Sequence, residues 1–139
     1  TKIINPQKIF MGEKDFQQLY LVKKQLEKEY KTKVVPCKTI RDKNNVALSS
    51  RNFLLNKSNL VMAAKIYKKL VKIKKNIKNT KNISNFLNLQ KNELKNIYKI
   101  KIDYLELRNI NNLKLSSTTK NSRLFIAYYI KNIRLIDNL

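Results

Sequence analysis

Gly12, Glu13, Lys14 and Asp15 set the only glycine of a 139-residue chain beside an ammonium and two carboxylates. Glycine lets a ligand approach the backbone closely. Lys14 can neutralise a phosphate, and Asp15 can accept from ribose hydroxyls. Further along, "ALSSRN" (47–52) sets two hydroxyls next to a guanidinium. Ser49 and Ser50 can donate to phosphate oxygens, and Arg51 offers bidentate, charge-assisted bonds. Each stretch also has an ordinary reading: a left-handed turn with a helix cap for the first, and a serine-capped turn with a solvated arginine for the second. The rest of the composition narrows the chemistry. With no histidine and the single cysteine Cys37, a zinc site or a Cys–His nucleophile is effectively excluded. What remains is a set of groups for holding phosphates.

Placing these groups falls to a few short elements. Residues 8–11, "KIFM", form a short apolar run ending at Gly12 and predict a buried strand. From Asp15 the apolar residues Phe16, Leu19, Tyr20, Leu26 and Tyr30 recur at helical spacing. Asp15 followed by Gln18 matches a capping box. "KVVPC" (33–37) predicts a second strand, cut short by Pro36. Strand, helix, strand makes a βαβ unit with a right-handed crossover. Ligands of such units lie beyond the carboxyl ends of the strands. Both "GEKD" and the segment after Cys37 are there.

Past the polar stretch 38–52, Leu60, Ala63, Ala64, Tyr67, Leu70 and Val71 predict a helix capped near Asn56 or Ser58. A second helix is expected over roughly 82–97. "KIKIDYLELRN" (99–109) alternates like a strand with Ile100, Ile102 and Tyr104 on one face. "RLFIAYYI" (123–130) reads as a buried strand and "IRLID" (133–137) as a weaker one. The lysine- and asparagine-biased "KKLVKIKKNIKNTKNIS" reads as a helix end followed by a solvated connection.

The formal charge of +22 invites a nucleic-acid-binding reading. Against it, 26 of the 31 basic residues are lysine, whereas sequence-reading surfaces favour arginine. Lysine also travels here with Asn and Ile, as in an A- and T-rich coding sequence. Tyrosines are scattered and tryptophan is absent, so no stacking platform is evident. No apolar run reaches the roughly 18–20 residues of a membrane span, and residues 1–10 lack the pattern of a signal peptide. One cysteine fits a reducing compartment, and a cytoplasmic location is expected.

"GEKDFQQL", "IRDKNNVALSSRN", "KIDYLELRN" and "RLIDN", in this order, resemble the C-terminal half of the pantothenate synthetase (pantoate–β-alanine ligase) family, from about residue 2 to residue 138. The resemblance implies an α/β fold: a βαβ remnant of a Rossmann-like nucleotidyl-transferase domain (1–40), then a small α+β lid domain (41–139). It implies an ATP-dependent condensation in which pantoate is activated as pantoyl adenylate, releasing pyrophosphate, and β-alanine's amine displaces AMP. Mg²⁺ as cofactor, a homodimer and a place on the route to coenzyme A are implied with it. Carried over by motif, the ATP contacts fall on Gly12, Glu13, Lys14, Asp15, Ile40 (through its backbone), Leu48, Ser49, Ser50 and Arg51. Gln18 falls on the pantoate ligand, and the catalytic cations are Lys14 and Arg51. Such a reaction is mostly positioning and neutralising spread negative charge, and needs no protein nucleophile.

The chain departs from the family pattern in several places. The two histidines flanking a glycine near the family's N-terminus are absent, with about half of the usual length. Asn44–Asn45 replaces an Asp-Gly turn, "VPCKTIR" replaces a "VPTVR"-like approach, and the connection near Lys31 is one residue short. A two-strand remnant has bare sheet edges that seek a partner. The competing readings are a lysine-rich nucleic-acid-binding module and a non-catalytic relic of the ligase.

Overall fold

The run ending at Gly12 is strand β1 (Lys8–Gly12) in this computed structural model, which describes residues 3–139. A 3-10 turn over Glu13–Asp15 leads into helix α1 (Phe16–Glu29), and β2 (Lys33–Cys37) comes next. β1 and β2 pair in parallel, Lys8 opposite Lys33 and Gly12 opposite Cys37. Leu19, Thr32 and Val34 are buried, while Phe16, Tyr20, Leu26 and Tyr30 are half-buried. Thr32 fixes the start of β2 by donating its hydroxyl to the Pro6 carbonyl at 3.0 Å. The expected capping box does not form. Asp15 occupies the N-cap of α1 at φ −94, ψ 56, and its side chain makes no capping bond. A capping residue needs extended backbone, and the intervening 3-10 turn denies it.

The chain divides into two compact units, one ending at Ile40 and the other running from Arg41 to Leu139. In the second unit, helices α2 (Lys57–Asn76) and α3 (Ile83–Tyr98) precede three strands, β3 (Lys101–Asn109), β4 (Ser122–Ile130) and β5 (Ile133–Asn138). The strands form one antiparallel sheet in sequence order. Asn56 caps α2, its Oδ1 accepting from the Asn59 N–H at 2.9 Å, and Asn82 caps α3 in the same way at 3.0 Å. The lysine-biased segment is less solvated than its composition implies. Leu70, Ile73, Ile77 and Ile83 within it are buried with Ala63, Ile66, Leu87 and Leu94.

β4 is the central strand, which explains its unbroken apolar run: Leu124 through Tyr128 are all buried. The expected alternation of β3 holds only in part. A register shift between Ile102 and Tyr104 leaves Asp103 as an extra residue, and such a bulge swaps the faces of the residues beyond it. Ile100 and Ile102 are buried, but the inward role then passes to Leu105 and Leu107 instead of Tyr104. Asp103 is used on both sides: its carbonyl accepts from Lys91 Nζ at 2.7 Å and its carboxylate from Arg134 Nε at 2.8 Å.

Glycine starvation shows in the turns. Asn5, Lys31, Asn45, Lys99, Leu113, Asn121 and Lys131 all take positive φ. Asparagine tolerates that region, but for lysine or leucine it costs roughly 1–2 kcal/mol per residue.

Candidate phosphate-binding site

In the first unit, the strand-to-helix turn puts Gly12, Glu13, Lys14 and Asp15 at the carboxyl end of β1. Register sets Cys37, exposed, directly beside Gly12. Gly12 is not a left-handed turn residue, contrary to the ordinary reading of this stretch: its φ is −67 and ψ 133, open to any residue. Nor does packing demand glycine, since a Cβ there would meet no atom of the described residues within 4 Å beyond its chain neighbours. Backbone conformation and neighbours therefore leave the choice of glycine unexplained. Glu13 and Lys14 are half-buried and engaged with neighbours. Asp15 and Gln18 are exposed on the same turn and the first turn of α1. Ile40, three residues beyond β2, is 72% exposed.

In the second unit, Leu48, Ser49, Ser50 and Arg51 lie together on one loop. Ser49 is extended, and its Oγ accepts from the Arg51 N–H at 3.2 Å, starting a 3-10 turn over Ser50–Leu54. Asn52 ties the turn back by donating from Nδ2 to the Ala47 carbonyl at 3.0 Å. Its Oδ1 is buried with no hydrogen-bond partner among the described residues. Leu48, Ser50 and Arg51 are exposed. Arg51 spends one donor on the Arg134 carbonyl of β5, at 3.1 Å.

The approach to this loop is held by a group that sequence reasoning did not single out. Arg41 makes a bidentate pair with Asp137 of β5, at 2.7 and 2.8 Å, and also donates to Asn45 O at 3.1 Å. Its guanidinium stacks 4.3 Å from the Tyr67 ring centroid. Burial works against the Arg41 charge, but the hydrogen bonds and charge of Asp137 outweigh it, and the pKa stays above its ordinary value. Burial is also the main cause that pushes the Tyr128 phenol up, with Asp137 adding to it and Arg41 opposing. Between Arg41 and Ala47 the chain closes a tight turn: Asp42 Oδ1 accepts from the Asn44 and Val46 N–H groups, and Asn45 takes φ 67. Asn45 thus adopts the conformation a glycine would. The available signal was "RLIDN", which contains Asp137, but nothing local named Arg41 as its partner.

A parallel βαβ unit, and an antiparallel α+β unit with a hydroxyl- and arginine-bearing loop, define a mixed α/β protein. The sequence model of the pantoate-beta-alanine ligase family matches residues 1–139, and the chain belongs to that family. Curated pantothenate synthetases are similar along its length: 37% identity for that of Flavobacterium psychrophilum, covering 99% of this chain and 50% of the relative, and 37% for that of Francisella tularensis, covering 99% and 44%. The chain thus spans about half the length of the curated relatives it matches. Among solved structures, pantothenate synthetase from Thermus thermophilus matches with TM-score 0.86 and 28% identity, over 99% of this chain and 51% of that one. The Francisella tularensis ligase, solved with beta-gamma ATP and beta-alanine, matches with TM-score 0.70 and 34% identity, over 99% and 45%. No described helix is long and apolar enough to cross a membrane.

Proposed function

We propose that this chain supplies the C-terminal half of an ATP-dependent ligase site that joins pantoate to β-alanine. The carboxylate oxygen of pantoate attacks the α-phosphorus of ATP, the bond to the bridging oxygen breaks, and pyrophosphate leaves. The amine of β-alanine then attacks the acyl carbon of pantoyl adenylate, AMP departs, and the amine gives up a proton. Gly12, Glu13, Lys14, Asp15 and the backbone of Ile40 would hold ATP from the remnant of the nucleotide domain. Leu48, Ser49, Ser50 and Arg51 would grip phosphates from the α+β lid, and Gln18 would hold pantoate. Lys14 and Arg51 act as catalytic cations by neutralising charge that spreads as pyrophosphate leaves. The observation that carries this reading is Gly12: the fold leaves open space above it and no backbone strain that would call for glycine. The ligase structure solved with beta-gamma ATP and beta-alanine supports the substrate classes.

Magnesium in such a site is bound by phosphate oxygens, water and one or two carboxylates. No cluster of three acidic, cysteine or histidine side chains occurs among the described residues, so the nucleotide would bring most of its ligands. The ion would add charge neutralisation at the leaving pyrophosphate. A homodimer in a reducing, cytoplasmic setting completes the proposal.

The test is pantoate-dependent exchange of labelled pyrophosphate into ATP, run on this chain alone and with the first half of a relative. Exchange in the mixture is expected, with Lys14→Ala and Arg51→Ala reducing it and Lys78→Ala leaving it unchanged. Equal losses from all three would overturn the proposal. So would duplex-DNA binding that falls steeply with salt and is weakened alike by any lysine.

A further inference from the structure

Strand β3 is covered along only part of its free edge. Leu124 and Leu139 exchange both backbone bonds at 3.0 Å, so Leu124 turns its polar groups toward β5. Leu107, opposite Leu124, therefore turns its own away from β4, and Leu105 and Asn109 do the same. At the Asn109 end the chain folds back over this edge. The Asn109 N–H donates to Lys114 O at 3.0 Å, and the Ser116 N–H to Leu107 O at 2.8 Å. There the cover stops. Ser116 Oγ accepts from the Thr118 N–H and donates to the Thr118 carbonyl, a turn that ends the pairing before Leu105. At the other end, Lys91 closes the Asp103 carbonyl.

Between these two closures, the Leu105 N–H and C=O and the Leu107 N–H meet no strand among the described residues. Leu105 and Leu107 are nonetheless only 4% and 5% exposed, and buried backbone groups are nearly always paired. Beside them lies a cavity of about 480 Å³, bounded by this edge, the first turns of α3 and Leu115–Ser117. Ile83, Leu87 and Leu115 give it apolar walls. Its one cation, Lys81, makes no hydrogen bond or ion pair among the described residues, whereas its one carboxylate, Glu106, is held by Arg108 at 2.7 Å. The charge left to a ligand is positive.

We propose that this groove binds an extended acidic peptide as an added strand. The open groups run donor, acceptor, donor at the two-residue spacing of a β-ladder. One peptide residue would exchange both bonds with Leu105, and the carbonyl two residues away would accept from the Leu107 N–H. An apolar side chain opposite Leu105 would pack toward Ile83 and Leu87, and a carboxylate beyond it would meet Lys81. Phosphate groups, which offer no donor, cannot satisfy the Leu105 carbonyl. Every residue of the groove belongs to the second unit, and none belongs to the candidate phosphate-binding site.

The probe is an acetylated and amidated pentapeptide of sequence EVTVE, titrated into the isotope-labelled full chain and followed by amide NMR. The Leu105 and Leu107 amides should shift, with half-saturation at about 1 mM or below, and their hydrogen exchange should slow about tenfold or more. Lys81→Glu should weaken binding about fivefold or more by turning attraction into repulsion. Ser84→Phe, at an exposed position in the lining, should fill the cavity and abolish binding. The same peptide N-methylated at both valines, or with lysines in place of its glutamates, should bind at least about tenfold more weakly. These two peptides decide the matter on the unaltered chain even if a variant fails to fold. No shift at the two amides up to about 10 mM peptide would overturn the proposal. So would equal binding of the N-methylated or lysine peptide, or undiminished binding to a folded Ser84→Phe. Protection of Leu105 that grows with the concentration of the chain alone would assign the edge to a second copy and overturn the named occupant.

Discussion

Replacing Arg41 by methionine removes two bonds to Asp137, at 2.7 and 2.8 Å, the bond to Asn45 O and the stacking on Tyr67. The side chains of the pair are 18% and 9% exposed, so the carboxylate left behind is almost out of water. Removing one member of a buried pair costs roughly 3–5 kcal/mol. Here Asp137 keeps the Asn138 N–H at 2.8 Å, which argues for the lower end, about 3 kcal/mol. Urea unfolding followed by far-ultraviolet circular dichroism reads this directly. With a slope near 2 kcal/mol per molar, the midpoint should fall by about 1.5 M. Asp137→Leu should cost about 2–3 kcal/mol by stranding the guanidinium, yet the double replacement should cost only about 1 kcal/mol, because no unpaired charge remains. A double variant that loses the full sum of the two single losses would contradict this account, since the two side chains would then contribute independently.

Gly12→Ala should leave the unfolding midpoint unchanged within about 0.5 kcal/mol, because its φ of −67 and the open space accept a Cβ. The same variant should lower pyrophosphate exchange in the paired halves. Lys99→Gly, at the left-handed C-cap of α3, should stabilise by about 1 kcal/mol, seen as a higher melting temperature. Ile66→Ala, at a fully buried position, should cost roughly 2–5 kcal/mol in the same assay. Glu93 has its pKa lowered, chiefly by the Lys69 hydrogen bond, with burial opposing. Its contribution is therefore present above the ordinary glutamate value and lost as pH falls through the folded value. The destabilisation caused by Glu93→Gln should accordingly be seen in urea at pH 7 and shrink as the pH is lowered below the ordinary glutamate value.

The parts of the fold that obey local periodicity were legible in sequence. The strand ending at Gly12, the amphipathic α1, the Asn56 cap of α2 and the buried β4 each declare themselves within a few residues. Contiguity also made the loop at 48–51 readable as a unit. What escaped depends on distance or on a single inserted residue. Arg41 and Asp137 are 96 positions apart, and neither shows the other in its own neighbourhood. The bulge at Asp103 conserves apparent alternation while exchanging faces, so Tyr104 reads as inward when Leu105 is. The Asp15–Gln18 pair had the right residues for a capping box but the wrong backbone beneath them. Turn positions were hidden for a further reason: lysine and leucine at positive φ carry no local signature of a turn.

The bond from Arg51 to the Arg134 carbonyl makes the readiness of a loop depend on the alignment of a strand 83 positions away. A slip of β5 by one residue would turn that carbonyl to the opposite side of the strand. Helix and strand content would hardly change, and spectroscopy of the backbone would report an intact protein. Yet Arg51 would have lost the support that sets its reach, and the serine pair would stand beside a guanidinium free to swing away. Damage of that kind would be a silent misalignment, visible in phosphate chemistry before it is visible in the fold.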